Sequence, residues 1–124
     1  MRRRKLVFVV DDDPSMRMSM KRLLRQHGFE AKLFESAAAL FGHGDFQDAV
    51  CIILDINLEN ESGIGLRRRL ANQGVKAPVV YITGNDSPGN RSDAIESGCI
   101  AYLTKPFSAQ SLIESVERAC ALLA

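Results

Sequence analysis

Five short apolar runs, separated by amphipathic segments, constrain this chain more than any other feature of its sequence. They are Leu6–Val10, Phe29–Phe34, Val50–Leu54, Pro78–Ile82 and Ile100–Leu103. Leu6–Val10 (LVFVV) and Val50–Leu54 (VCIIL) lack polar alternation, which suits strands covered on both faces. Helix signals lie between the runs. Asp13 and Pro14 read as an N-cap and first turn. Met16, Met20, Leu23, Leu24 and His27 then follow on one helical face, and Gly28 ends that helix. Ser36 caps a short helix through Phe41, with Gly42–Asp48 as a loop. Ser62 opens a third helix, in which Leu66 and Leu70 point inward and Arg67-Arg68-Arg69 forms a solvated face. A fourth helix spans about Pro88 to Ser97 before Gly98. Ser108 caps the last, with Leu112, Ile113, Val116, Cys120 and Leu123 as its buried stripe. The expectation is a β-strand followed by an α-helix, five times over. Such crossovers imply an α/β fold with a parallel sheet and helices on both faces.

The 124 residues fit one domain, large enough to bury about two thirds of its unfolded surface without a metal or disulfide staple. The three cysteines, Cys51, Cys99 and Cys120, form no CxxC pair and lie in or beside apolar stretches, so reduced thiols are expected. His27 and His43 have no partner at ligand spacing. The net charge of +1 argues against a polyanion binder acting through bulk charge, and direct nucleic-acid binding is not expected. That average hides an asymmetry. Residues 2–5 are all basic, and without them twelve basic residues face fifteen acidic ones. This start reads as a solubilising tail over 1–5, with the folded domain over 6–124. Leu6–Val10 is shorter than the 7–15 residues of a signal-peptide core, and no run nears a membrane span, so a cytoplasmic location is expected.

In open parallel sheets, chemistry gathers beyond the carboxyl ends of the strands. The first strand ends in Asp11-Asp12-Asp13, the third in Asp55, the fourth in Thr83, and the fifth is followed by Lys105-Pro106. Clustered carboxylates repel one another unless one is protonated or a cation joins them. Hard divalent cations take oxygen ligands, and Mg²⁺ characteristically combines one or two carboxylates with waters and phosphate oxygens. Thr83 adds a hydroxyl donor and Lys105 a compact positive charge. Together these groups suggest phosphoryl transfer to an aspartate, a carboxylate being a competent covalent nucleophile.

The segments VVDDDPS, LDINL, YITG and YLTKPF, in this order and at these separations, resemble the receiver domain of two-component response regulators, in particular its FixJ-type branch. The resemblance covers about Leu6 to Leu123. It implies a flavodoxin-like (βα)5 three-layer sandwich with strand order 2-1-3-4-5. It further implies Asp55 as phosphoacceptor, Asp11 and Asp12 as the acidic pair that positions Mg²⁺ (or Mn²⁺), and the Asn57 backbone carbonyl completing the metal shell. Thr83 matches the switch hydroxyl, Lys105 the phosphoryl-contacting lysine and Tyr102 the aromatic switch position. Gly84 matches a small residue that keeps the site accessible, and Pro106 a proline often preceded by a cis bond.

The implied donor is a sensor histidine kinase or a histidine phosphotransfer protein. The implied response is movement of Thr83 and Lys105 toward the phosphoryl group, with Tyr102 turning inward. That would remodel a face of helix four, strand five and helix five, which is also a candidate homodimer surface. Asn57 and Asn85, each two residues past a site residue, are expected to tune the phosphoryl lifetime. One departure stands out: receivers commonly carry proline four residues after the phosphoacceptor, where this chain has Glu59. Two other readings compete. A haloacid-dehalogenase-like phosphatase would use the Asp-x-Asp of Asp11–Asp13, leaving Asp55 unexplained. A phosphorylation-independent protein-binding receiver would leave the acid, threonine and lysine set without a role.

Overall fold

In the computed structural model, which describes residues 5–122, β1 (Lys5–Val10) is the second strand of a five-stranded sheet centred on β3. The other strands are β2 (Phe29–Phe34), β3 (Ala49–Asp55), β4 (Val79–Thr83) and β5 (Ala101–Thr104). All neighbouring pairs are parallel, in the order β2-β1-β3-β4-β5. Five helices connect them: α1 (Pro14–Gln26), α2 (Ala37–His43), α3 (Gly63–Asn72), α4 (Pro88–Glu96) and α5 (Ala109–Leu122). The expected architecture and strand order are therefore observed. The basic tail, apart from Lys5, and Leu123 of the last stripe lie outside the described residues.

The apolar runs divide their side chains between two cores. Phe8, Val10, Ile52, Leu54, Val79 and Tyr81 face α2, α3 and α4, where Leu40, Leu66, Leu70 and Ala94 meet them. Val7, Val9, Cys51, Ile53, Val80 and Ile82 face α1 and α5, where Met20, Leu24, Leu112 and Val116 meet them. Each fully buried side chain of this size contributes about 1.5–3 kcal/mol relative to exposure. The helices are anchored unequally. In α4 only Ala94 is buried, and Ile95 is left 66% exposed.

Several expected boundaries move. Gly42 and His43 belong to α2 rather than to a loop, because the His43 ring packs edge-on to Phe8 at 5.5 Å and holds the last turn down. Gly44, at φ +72°, ends the helix instead, a conformation open to glycine. β3 and β4 include Asp55 and Thr83 as their final residues, since ladder bonds continue through Ile56 N–H to Ile82 O and Lys105 N–H to Thr83 O. β4 and β5 each begin one residue later than expected, and α4 ends at Glu96 with Ser97 as its cap. The α3 arginines are not uniformly solvated. Arg67 is half-buried with its Nε unpartnered, and the Arg69 guanidinium stacks on Phe41 at 4.4 Å. Cys51 is buried, whereas Cys99 and Cys120 are only partly so, and all three are free thiols. Burial pushes the Cys51 thiol well above its ordinary range.

Candidate functional site

Register brings the polar strand ends together. Val10 lies level with Leu54, so Asp11 emerges beside Asp55. Asp55 lies level with Ile82, so Thr83 stands one step further along the same edge. Thr83 pairs with Thr104, which places Lys105 just beyond it. One carboxylate oxygen from each of Asp11, Asp12 and Asp55 falls within 4.8 Å of the others. Asp11 is fully buried and Asp55 nearly so, whereas Asp12 is exposed.

The two buried carboxylates are each oriented by a local turn. Asp11 Oδ1 accepts from the Asp13 N–H at 2.9 Å, and Asp55 Oδ1 from the Asn57 N–H at 2.8 Å. Lys105 Nζ donates to both remaining oxygens, Asp11 Oδ2 and Asp55 Oδ2, at 3.1 Å each. Burial raises the Asp11 carboxyl above its ordinary value; the Asp13 N–H and Lys105 oppose this, and the Asp55 charge adds to it. Burial alone would lower the Lys105 ammonium, but Asp11 and Asp55 together hold it above its ordinary value. One ammonium thus pairs with two of three clustered carboxylates, leaving an excess of negative charge in an all-oxygen donor set that fits a hard divalent cation.

The residues expected to act as the switch, Thr83 and Tyr102, are also hydrogen-bonded. Thr83 is fully buried; its hydroxyl donates to Asn57 Oδ1 at 2.6 Å and accepts the Asn85 N–H at 3.0 Å. Asn85 contributes to the site through its backbone, its carbonyl accepting from Asn90 Nδ2. The Tyr102 hydroxyl donates to Asp86 Oδ1 at 2.9 Å, and the Arg91 guanidinium lies over its ring at 4.8 Å. Arg91 also pairs with Asp86 at 2.9 Å, closing a three-residue clamp across the β4–α4 loop, α4 and β5. The Lys105–Pro106 bond is cis. A methyl group at Gly84 would meet only Lys105 Cδ, at an ordinary 3.9 Å.

Sequence reasoning missed four contributors. Arg17 Nη1 donates to the Asp11 carbonyl at 2.7 Å and braces the acidic turn from α1. Gly63 packs so tightly that a methyl group there would lie 2.3 Å from the Asp55 carbonyl oxygen. Asp86 and Arg91 complete the Tyr102 clamp. Arg17 sits on the α1 turn that follows the acidic run, and this was the one signal available for it. The loop bearing Glu59 closes without proline. The Gly63 N–H bonds to the Ile56 carbonyl at 2.9 Å, Asn57 bridges Ser62, and Glu61 pairs with Arg69.

The family model for the response regulator receiver domain matches residues 7–117. The chain belongs to that family. It is 34% identical over 122 residues to the transcriptional regulatory protein TdiR of Thauera aromatica, covering 94% of this chain and 51% of TdiR. It is 31% identical over 114 residues to the transcriptional regulatory protein FixJ of Rhizobium meliloti, covering 91% and 55%. The solved structure of FixJ-N superimposes with a TM-score of 0.88 at 29% identity, covering all of this chain and 98% of the other. This receiver thus has FixJ among its relatives, and it spans about half the length of the curated regulators it matches. Among its described residues no helix is long and apolar enough to cross a membrane.

Proposed function

We propose that this receiver accepts a phosphoryl group on Asp55 from the phosphohistidine of a sensor histidine kinase or a histidine phosphotransfer protein. The observation that carries the reading is the Asp11–Asp12–Asp55 cluster with Lys105 donating to two of its members. In the transfer, an Asp55 carboxylate oxygen forms a bond to phosphorus as the P–N bond breaks, and the leaving imidazole keeps the electron pair. Asp11, Asp12, Asp55 and the Asn57 backbone carbonyl would hold Mg²⁺ (or Mn²⁺), which supplies charge neutralisation at the phosphoryl oxygens. Lys105 is already seated on Asp55 and needs only a small shift to meet a phosphoryl oxygen. Arg17 braces the acidic turn from behind, and the Asn57 N–H fixes the orientation of the nucleophile.

The output we assign is a shift of the α4–β5–α5 face. A phosphoryl group would draw the Thr83 hydroxyl toward Asp55, and Tyr102 would leave Asp86 and turn into the space beside Thr83. The single buried residue of α4 supports this, because a lightly anchored helix is displaced at small cost. The same face, with Ile95 exposed, is our candidate homodimer surface. Asn57 and Asn85 are assigned the tuning of the phosphoryl lifetime. The domain is taken as residues 6–124 behind a basic tail over 1–5, acting in the cytoplasm.

The test is phosphotransfer from a histidine kinase to wild type, Asp55→Asn and Asp55→Ala. Label that is cleaved by alkali and hydroxylamine, as an acyl phosphate is, is expected on the wild type with Mg²⁺ and is expected to vanish on both variants and on omitting the metal. Undiminished label on either variant overturns the assignment.

A further inference from the structure

The Thr83 hydroxyl has one proton, and in this conformation that proton goes to Asn57 Oδ1 at 2.6 Å. Its oxygen already accepts the Asn85 N–H, so no second donor remains on the group. A phosphoryl group on Asp55 presents acceptor oxygens. Thr83 can bond to one of them only by releasing Asn57.

We infer that Asn57 is a positioning residue that competes with the phosphoryl group for the Thr83 proton and so holds the switch hydroxyl in its resting place. The inference rests on the reading of Asp55 as phosphoacceptor and adds to it a residue that sets the threshold of the switch. The two partners differ in their need for the bond. Thr83 is fully buried, and an unpaired buried hydroxyl is costly, so it requires an acceptor in either state. Asn57 is exposed, and water replaces Thr83 at its amide when the proton moves away. The exchange is therefore feasible and still opposed. The backbone of Asn57 is fixed at both ends of the loop, by its N–H bond to Asp55 Oδ1 and by its bridge to Ser62, so its side chain stays within reach of Thr83.

The test titrates the receiver, in Mg²⁺, with beryllofluoride as the phosphoryl mimic, in wild type, Asn57→Ala, Thr83→Val and the double variant. Removing the Asn57 amide leaves the resting hydroxyl without its acceptor. Asn57→Ala is expected to tighten beryllofluoride binding about three- to tenfold, the range of one net hydrogen bond. With Thr83→Val the same change is expected to have under about a twofold effect, because the shared proton is gone. Thr83→Ser, which keeps the hydroxyl, is expected to restore the response. Weaker or unchanged binding by Asn57→Ala, or equal tightening in the valine background, overturns the inference. A second readout needs no mimic: in the free protein, the Asn57 side-chain amide resonances are expected to move on Thr83→Val. Unmoved resonances overturn the hydrogen bond itself. If they move but the wild type fails to bind beryllofluoride, the phosphoacceptor reading is what falls, and the competition falls with it.

Discussion

Lys105 reaches Asp11, its partner from 94 residues earlier in the chain, with Nζ 3.1 Å from Oδ2. The same nitrogen serves Asp55 at the same distance, so one ammonium compensates two carboxylates that are almost wholly removed from water. Lys105→Gln removes that charge and leaves the cluster repelling itself. The metal-free protein is expected to lose about 1–3 kcal/mol, the scale of a hydrogen bond to a charged group. Urea denaturation measures this, and the loss is expected to shrink when Mg²⁺ is added. An unchanged midpoint in metal-free buffer refutes the electrostatic role.

Asp11 should act in the opposite sense. Burial disfavours its charge, so the folded protein carries a carboxylate it would be more stable without. Asp11→Asn is expected to raise metal-free stability at neutral pH by about 1 kcal/mol. The wild type gains stability from Mg²⁺ through mass action, and the variant is expected to lose most of that gain. Thermal melts with and without Mg²⁺ check both halves. A variant that is less stable in metal-free buffer, or that responds fully to Mg²⁺, contradicts the prediction.

The Tyr102 clamp carries a pH window. Bonds from Arg91 and then Tyr102 hold the Asp86 carboxyl below its ordinary 3.8. The contribution of a depressed acid is present above its unfolded value and lost as pH falls through the folded one. Tyr102 shifts the other way: burial, then its bond to Asp86, hold the phenol above its ordinary 10.0. Its contribution is complete below that value and lost as pH rises through the folded one. The clamp is thus expected to be intact from about pH 4 to pH 10, and to open only beyond those limits. Tyr102 ring resonances followed by NMR should stay constant across that window and move outside it. Asp86→Asn should move them at neutral pH.

Gly63 tests the tightness of the support beneath Asp55. An added Cβ would lie 2.3 Å from the Asp55 carbonyl oxygen and 3.0 Å from the Ile56 Cα, both backbone atoms that cannot swing aside. Gly63→Ala is expected to cost roughly 2–4 kcal/mol, the upper range for overpacking. It should also slow phosphorylation of Asp55 by displacing its backbone. Denaturant melts and a phosphotransfer time course measure the two effects. Gly65→Ala, inside the same helix and with nothing within 4 Å, serves as the unstrained control and is expected to stabilise slightly.

Much of this molecule was legible before any coordinate. Apolar runs without alternation marked the strands. Asp13, Ser36, Ser62 and Ser108 marked helix starts, and all four accept the backbone N–H of a residue two or three positions on. These signals are readable because each depends on neighbours within a few residues. The element ends were less so: His43 stays helical through its contact with Phe8, a residue 35 positions away, which no local pattern announces.

The site divides along the same line. Sequence by itself determined which side chains stand at the carboxyl edge of the sheet, because an acid, a hydroxyl or a lysine directly after a buried strand has nowhere else to emerge. Only the tertiary structure decided how they pair. Lys105 bonds to both Asp11 and Asp55, the Thr83 proton goes to Asn57, and Tyr102 bonds to Asp86 beneath Arg91. Each pairing joins different elements and depends on strand order, register and rotamer together. A chain specifies its strands residue by residue, but a shared proton or a split ammonium exists only after the sheet has set its strand ends a few ångströms apart.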